Sequence, residues 1–179
     1  MKILLHVCCG ICAGSVMERL LSEGHQVTSY FFNPNIHPAE EYEKRLQVAI
    51  DVAKWSNAPL ENGAYEPDKW LQATENLAQE PEGGKRCKVC FRIRLQATYD
   101  YMKQHDFDAF TTTLTVSPHK SAEVVNRLGT AIGRERFLAR DFKKRDGFKR
   151  SNEIARQLEL YHQHYCGCIY SLNQSHSHL

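Results

Sequence analysis

The sequence predicts a single α/β domain: a parallel sheet with helices on both faces. Three observations carry this. Short runs rich in apolar and β-branched residues alternate with stretches of helical period, in the order β-α-β-α-(α)-α-β-α-β-α. The chain has 179 residues, 42% of them hydrophobic, enough for one domain with its own core. Six prolines and ten glycines are spread thinly, with no internal repeat, low-complexity tract or membrane-length apolar run.

Each element has its own signal. Lys2 to Val7 (KILLHV) is a short buried strand bounded by a cysteine turn. Gly10 to Ser22 is a helix with Val16, Met17, Leu20 and Leu21 on one face, ended by Gly24. Gln26 to Phe32 (QVTSYFF) is a second strand. Pro34 and Pro38 hold residues 33–38 in an extended loop. Glu40 to Asn57 is a long helix on Tyr42, Leu46, Ala49, Val52 and Ala53. The pattern weakens from Ala58 to Arg86, where a helix is expected around Trp70 and a loop at Pro81–Gly84. Cys87 to Gln104 is helical, Phe107 to Val116 a strand broken by Ser117-Pro118, and Ala122 to Gly133 a helix. Arg136 to Phe142 reads as a last strand and Ser151 to Leu158 as a helix capped by Ser151. The domain is expected over 1–170, with 171–179 a flexible tail containing His176 and His178.

In sheets of this kind the binding crevice lies beyond the carboxyl ends of the strands. The turn after the first strand, the Asn33 loop, the Ser117 loop and the segment after Phe142 should therefore form one site.

Seven cysteines fall into three tight clusters, Cys8-Cys9-x-x-Cys12, Cys87-x-x-Cys90 and Cys166-Gly167-Cys168. The N-terminus carries a charge and then an apolar stretch, but Ile3–Val7 is too short for a secretory segment and no small-residue cleavage site follows. A cytoplasmic protein is expected, where such spacings are metal or redox sites rather than disulfides. One zinc takes four ligands, so seven thiols are too many for it. An iron–sulfur cluster takes up to four and leaves three for a second metal or for reactive thiols. His6 reads as a core histidine, whereas His37, His119, His162 and His164 fall near the expected site.

Net charge is only +2, which by itself does not call for a nucleic-acid partner. Its distribution says more: residues 134–150 hold eight Lys/Arg against three acidic residues, a local +5 that suits phosphates or, equally, a solvated surface.

Taken in order along nearly the whole chain, the motifs LLHVCCGIC (4–12), FFNPNIHP (31–38), EYEKR (41–45), RCKVCFRIRL (86–95), FTTTLTVSPHK (110–120), DFKKRDGFKRS (141–151) and YHQHYCGCIYS (161–171) resemble the epoxyqueuosine reductase QueH family. The resemblance implies a nucleotide α-hydrolase-like (PP-loop-like) sheet with an added C-terminal helical segment. It implies an oxidoreductase for the last step of queuosine synthesis, which removes the epoxide oxygen of epoxyqueuosine at the wobble position of tRNAs for Asp, Asn, His and Tyr. It further implies a [4Fe-4S] cluster beside a mononuclear iron, no cobalamin, an external electron donor and no membrane.

Carried onto this chain, the resemblance makes Cys8, Cys9, Cys12, Cys87, Cys90, Cys166 and Cys168 metal ligands. Cys9, Cys87, Cys90 and Cys168 are expected mainly at the cluster, and Cys8, Cys12 and Cys166 mainly at the second metal. Cys8, Cys12 and Asp141 are the candidate catalytic residues, although Asp141 reads equally as a strand-end cap or a partner for Lys143. Asn33, Asn35, Tyr42, Arg45, Ser117, His119, Lys120 and Tyr165 are expected to hold the nucleoside. Lys143, Lys144, Arg145, Lys149 and Arg150 are expected to meet tRNA phosphates. A zinc-stabilised tRNA-binding module without redox chemistry is the alternative. A tRNA-thiolating ATP pyrophosphatase would want a Gly-rich loop where CCGIC stands, and a thiol–disulfide reductase would want no metal.

Overall fold

A computed structural model describes residues 1–176; the expectations for the end of the tail, including His178, lie outside the described residues. Four strands form one parallel sheet: β1 (Lys2–His6), β2 (Gln26–Phe31), β3 (Leu60–Asn62) and β4 (Ala109–Thr112). Their spatial order is β3-β2-β1-β4. His6 pairs in register with Tyr30 on one side and Thr112 on the other, so three strands end level with one another.

Seven helices complete the fold: α1 (Gly10–Ser22), α2 (Ala39–Trp55), α3 (Pro67–Thr74), α4 (Lys85–Gln104), α5 (Ala122–Gly133), α6 (Gly147–Gln157) and α7 (Ile169–His176). They form two groups, α1 against α2 and α6, and α4 against α5. Chain handedness explains the division. The path β1-β2-β3 runs one way along the sheet and the return to β4 runs the other, so right-handed crossovers put their helices on opposite faces. The reversal makes the gap between β1 and β4 the switch point where α/β proteins bind ligands. Gly10 lets α1 and α2 meet closely, since a Cβ there would lie 2.5 Å from the Val48 side chain and 2.6 Å from the Ala49 backbone.

The buried core runs through β1, where Ile3, Leu4 and Leu5 are fully enclosed, to Met17 and Leu20 of α1, Phe31, Leu95 and Phe110. His6 belongs to it, as expected. Its Nδ1 lies 2.8 Å from Thr112 Oγ1, and burial, then the nearby Arg94 charge, push its pKa down to about 3.

The last strand expected from the sequence, Arg136 to Phe142, does not form. Only Phe137 bridges to Phe110, with the Leu138 N–H donating to the Phe110 carbonyl. The reason lies in β4, which is shorter than the expected 107–116. At Thr112 its own hydroxyl accepts the Leu114 N–H and turns the chain into a 3₁₀ turn, Thr113–Thr115, so β4 ends two residues past the Phe110 bridge and offers no strand for the rest of 136–142 to pair with. The sequence also missed β3, a three-residue edge strand beside Pro59. At the C-terminal end α7 (Ile169–His176) is the last described element. No helix among the described residues is long and apolar enough to cross a membrane.

Candidate metal centre and substrate cavity

The turn after β1 carries the first three cysteines. Cys8 follows the strand, Cys9 sits at the N-cap of α1, and Cys12 lies in its first turn. Their sulfurs lie within 4.8 Å of one another and are buried. Tetrahedral thiolates at metal–sulfur distances of ~2.3 Å sit about 3.8 Å apart, so one ion can reach all three. The turn is tied across the switch point: Thr113 Oγ1 accepts the Cys8 N–H at 2.9 Å and donates to Cys8 Sγ at 3.2 Å. Hydrogen bonds from Cys12 and Cys9 hold the Cys8 thiol well below the usual thiol range, and the Lys120 and Arg94 charges help. Cys12 is pushed well above that range, and Cys9 up to about 11.

Cys87 and Cys90 sit in the opening turns of α4, and Cys166 and Cys168 in the loop leading to α7. Cys87, Cys90, Cys166 and Cys168 line a small enclosed cavity of about 70 Å³. Cys8, Cys9, Cys12 and Cys166 line a larger one of about 550 Å³ that opens to solvent. Cys166 is common to both, as are Arg94, His119, Lys120 and Glu82. The two cavities are therefore two ends of one thiol-lined centre. Cys9 lies with Cys8 and Cys12 and lines the larger cavity.

Around the smaller cavity, Arg86 Nε and Arg94 Nε are buried without a hydrogen-bond partner, and the Trp70 indole N–H faces the Cys90 sulfur. Buried N–H donors beside four cysteines suit an anionic sulfur-rich group, because unpaired buried donors are costly. The Cys166 thiol is brought down to about 6, by the Cys168 hydrogen bond first and then, against burial, by Lys120 and Arg94. Burial pushes Cys87 and Cys90 up. Burial opposes the charges of Lys120 and Arg94, but the surrounding sulfurs outweigh it and raise both.

Arg45 builds the loop that brings Cys166 in. It is 2% exposed and bonds Glu41 Oε1 at 2.7 Å and the carbonyls of Cys166 and Tyr165 at 3.0 Å each. Glu41 is also held by the Tyr161 hydroxyl at 2.8 Å. Gly167, at φ +115°, lets the chain fold onto the guanidinium; a Cβ there would lie 2.7 Å from Arg45 Nη1. The Tyr165 hydroxyl donates to the His37 carbonyl, closing the loop onto the Asn33 segment.

The other expected nucleoside contacts divide. Arg45, Ser117, His119, Lys120 and Tyr165 line the larger cavity. Asn35 lines the smaller one, with Oδ1 unpartnered. Asn33 and Tyr42 line neither. Asn33 Nδ2 donates to the Val7 carbonyl at 2.8 Å, and the Tyr42 hydroxyl donates to Asn62 while its ring stacks on Tyr65 at 3.9 Å. Asp141 also lines neither cavity; it accepts the Lys143 N–H at 3.1 Å and pairs with Lys143 Nζ at 3.5 Å. Lys143 Nζ in turn donates to the Lys120 carbonyl at 3.1 Å, which braces the Lys120 loop. Arg150 is occupied by Glu18 and Glu153. Lys144, Arg145 and Lys149 are exposed and make no ion pair among the described residues.

Sequence reasoning missed Arg94, although the signal was there: it lies four residues after Cys90 and seven after Cys87, on the same helix face. Its Nη1 is 3.8 Å from Cys90 Sγ. Glu82, Asn152, Gln163 and Phe148 in the cavity walls carried no such signal.

Fold and site together define a parallel α/β protein with a cysteine-lined candidate metal centre beyond the strand ends. The family model described as epoxyqueuosine reductase QueH matches residues 3–174, and the chain belongs to that family. Among curated relatives of that name, the one from Streptococcus pyogenes serotype M1 is 38% identical over 179 residues, covering 95% of this chain and 70% of the relative. The Haemophilus influenzae relative is 36% identical over 178 residues (97% and 73%), and the Thermotoga maritima relative 30% over 176 (95% and 90%). Among solved structures, the U34-tRNA thiolase NcsA from Methanococcus maripaludis with its [4Fe-4S] cluster aligns with a TM-score of 0.52 at 14% identity. That alignment covers 91% of this chain and 58% of the thiolase, a likeness of fold.

Proposed function

We propose that the chain reduces the epoxide of epoxyqueuosine in tRNA to the alkene of queuosine. The balance is epoxide plus two electrons and two protons, giving alkene and water, with an external donor supplying the electrons. Membership of the family supports the reaction. The observation that carries it here is a cavity of about 550 Å³, in the size range of small-molecule sites, with four cysteines in its wall and four around the adjoining space, Cys166 being common to both.

The residues suit a [4Fe-4S] cluster and a single iron. Cys87, Cys90 and Cys168 would supply three cluster ligands, and Cys8 and Cys12 would hold the iron. Cys9 or Cys166 completes the cluster and the other completes the iron set; Cys166, common to both cavities, is placed for either. Together these groups would supply electrons and a Lewis acid for the epoxide oxygen. The protein's own side chains do the rest. Lys120 and Arg94 offset the negative charge of up to seven thiolates. Ser117, His119 and Tyr165 line the space for the nucleoside. The Arg45-anchored loop closes the centre on one side. Lys144, Arg145 and Lys149 would meet RNA phosphates. The tRNAs for Asp, Asn, His and Tyr are the proposed substrates.

The test is anaerobic reconstitution with iron and sulfide, addition of a chemical reductant and epoxyqueuosine-containing tRNA, and mass analysis of the nucleosides. A product lighter by one oxygen atom is expected. Intact epoxide with a fully loaded, reduced protein would overturn the proposal.

A further inference from the structure

Five large apolar residues are exposed among the described residues, Met1, Leu21, Trp55, Phe148 and Tyr161. Only Phe148 lines the thiol-walled cavity. It is 41% exposed and stands in the first turn of α6, a helix rather than a loop. Its backbone carbonyl accepts from Asn152 Nδ2 at 2.9 Å, and Asn152 lines the same cavity. Beside it stand Lys144, Arg145 and Lys149, exposed and unpaired among the described residues. An exposed aromatic among free cations, at the edge of a cavity sized for one nucleoside, has the makings of a single-stranded RNA platform.

We infer that Phe148 stacks on a base flanking the reacting nucleotide and so holds the RNA strand at the cavity mouth. The inference rests on the proposed reading of tRNA as substrate. A nucleotide turned into the cavity still belongs to a strand that enters and leaves over the rim, and its neighbouring bases lose their own stacking partner there. Phe148 replaces that partner. Because every base has a π-face, such a platform sets position without reading sequence. The neighbouring lysines hold phosphates, so the two contributions differ in their response to salt: stacking is nearly salt-independent and phosphate contact is not.

The experiment uses an anticodon stem-loop RNA with 2-aminopurine on either side of the wobble nucleotide, titrated with the full chain. Wild type should change the fluorescence at one flanking position. Phe148→Ala and Phe148→Leu should lose that change and bind about tenfold more weakly, equivalent to about 1.4 kcal/mol and within the range of base–aromatic stacking. Their dependence of affinity on salt should match wild type. Phe148→Trp should keep both signal and affinity, and Lys144→Ala/Lys149→Ala should lower the salt slope while keeping the signal. Equal binding and equal fluorescence in wild type and Phe148→Ala would overturn this inference alone. Failure of wild type to bind the stem-loop would instead overturn the reading of RNA as partner.

Discussion

Arg45 offers the sharpest test of how the centre is assembled. Its guanidinium is buried, forms an ion pair with buried Glu41, and holds the two carbonyls next to and at Cys166. Arg45→Met keeps an apolar stem of similar length but leaves Glu41 as a buried carboxylate with only the Tyr161 hydroxyl, and two carbonyls unpartnered. Breaking one side of a buried pair costs about 3–5 kcal/mol. For a chain of this size, at about 2–4 °C per kcal/mol, that is a Tm loss of roughly 6–20 °C. The assay is thermal unfolding of the metal-free, reduced protein, alongside iron and sulfide uptake on reconstitution. Adding Glu41→Gln should recover part of the stability, because it neutralises the orphaned charge. Yet it should not restore metal uptake, because the carbonyls that position Cys166 stay unheld. A loss under about 1 kcal/mol with normal iron and sulfide would refute the reasoning.

Three further expectations follow from the same geometry. In metal-free protein, iodoacetamide should label Cys166 in preference to Cys87, though both are half-buried; the Cys166 rate should rise through about pH 6, where its thiolate forms, while Cys87 waits for pH above the ordinary thiol value. Peptide mass mapping between pH 5 and 9 checks this, and equal labelling at pH 7 would contradict it. Thr113→Val should cost about 1–3 kcal/mol by stranding the Cys8 N–H, with Thr113→Ser close to wild type in urea unfolding. Gly167→Ala should lower both stability and sulfide content, since φ +115° and the Arg45 contact oppose a Cβ; unchanged sulfide would show that the loop tolerates the strain.

Much of this was legible in the chain. The β1-α1-β2-α2 half follows from clean periodicity and is formed within a residue or two of expectation. The cysteine spacings pointed to convergence, because clustered C-x-x-C and C-G-C pairs suit thiols that share one site. The second half was harder. Threonines 111–113 and 115 read as strand formers, but the Thr112 hydroxyl takes the Leu114 N–H and ends β4 early, while Thr111 and Thr115 bond Leu138 and Phe142 through their side chains in place of a strand ladder. The contacts of several polar residues were also not readable from sequence: Asn33 ties the end of β1 to its neighbour loop, Asp141 holds Lys143, and Arg45 holds the Cys166 loop while lining the larger cavity. Conversely, Arg94, which the sequence reading did not single out, lies buried and lines both thiol-walled cavities.

The proposed function requires seven thiolates converging on an iron–sulfur centre with an additional iron. Anaerobic purification or reconstitution, followed by quantification of iron, sulfide and zinc with the visible spectrum, tests this most directly. Brown protein with iron exceeding sulfide by about one per chain is expected, as a [4Fe-4S] cluster plus one iron requires. Colourless protein holding zinc and no sulfide would contradict it, and would leave the fold with a binding role and no source of electrons.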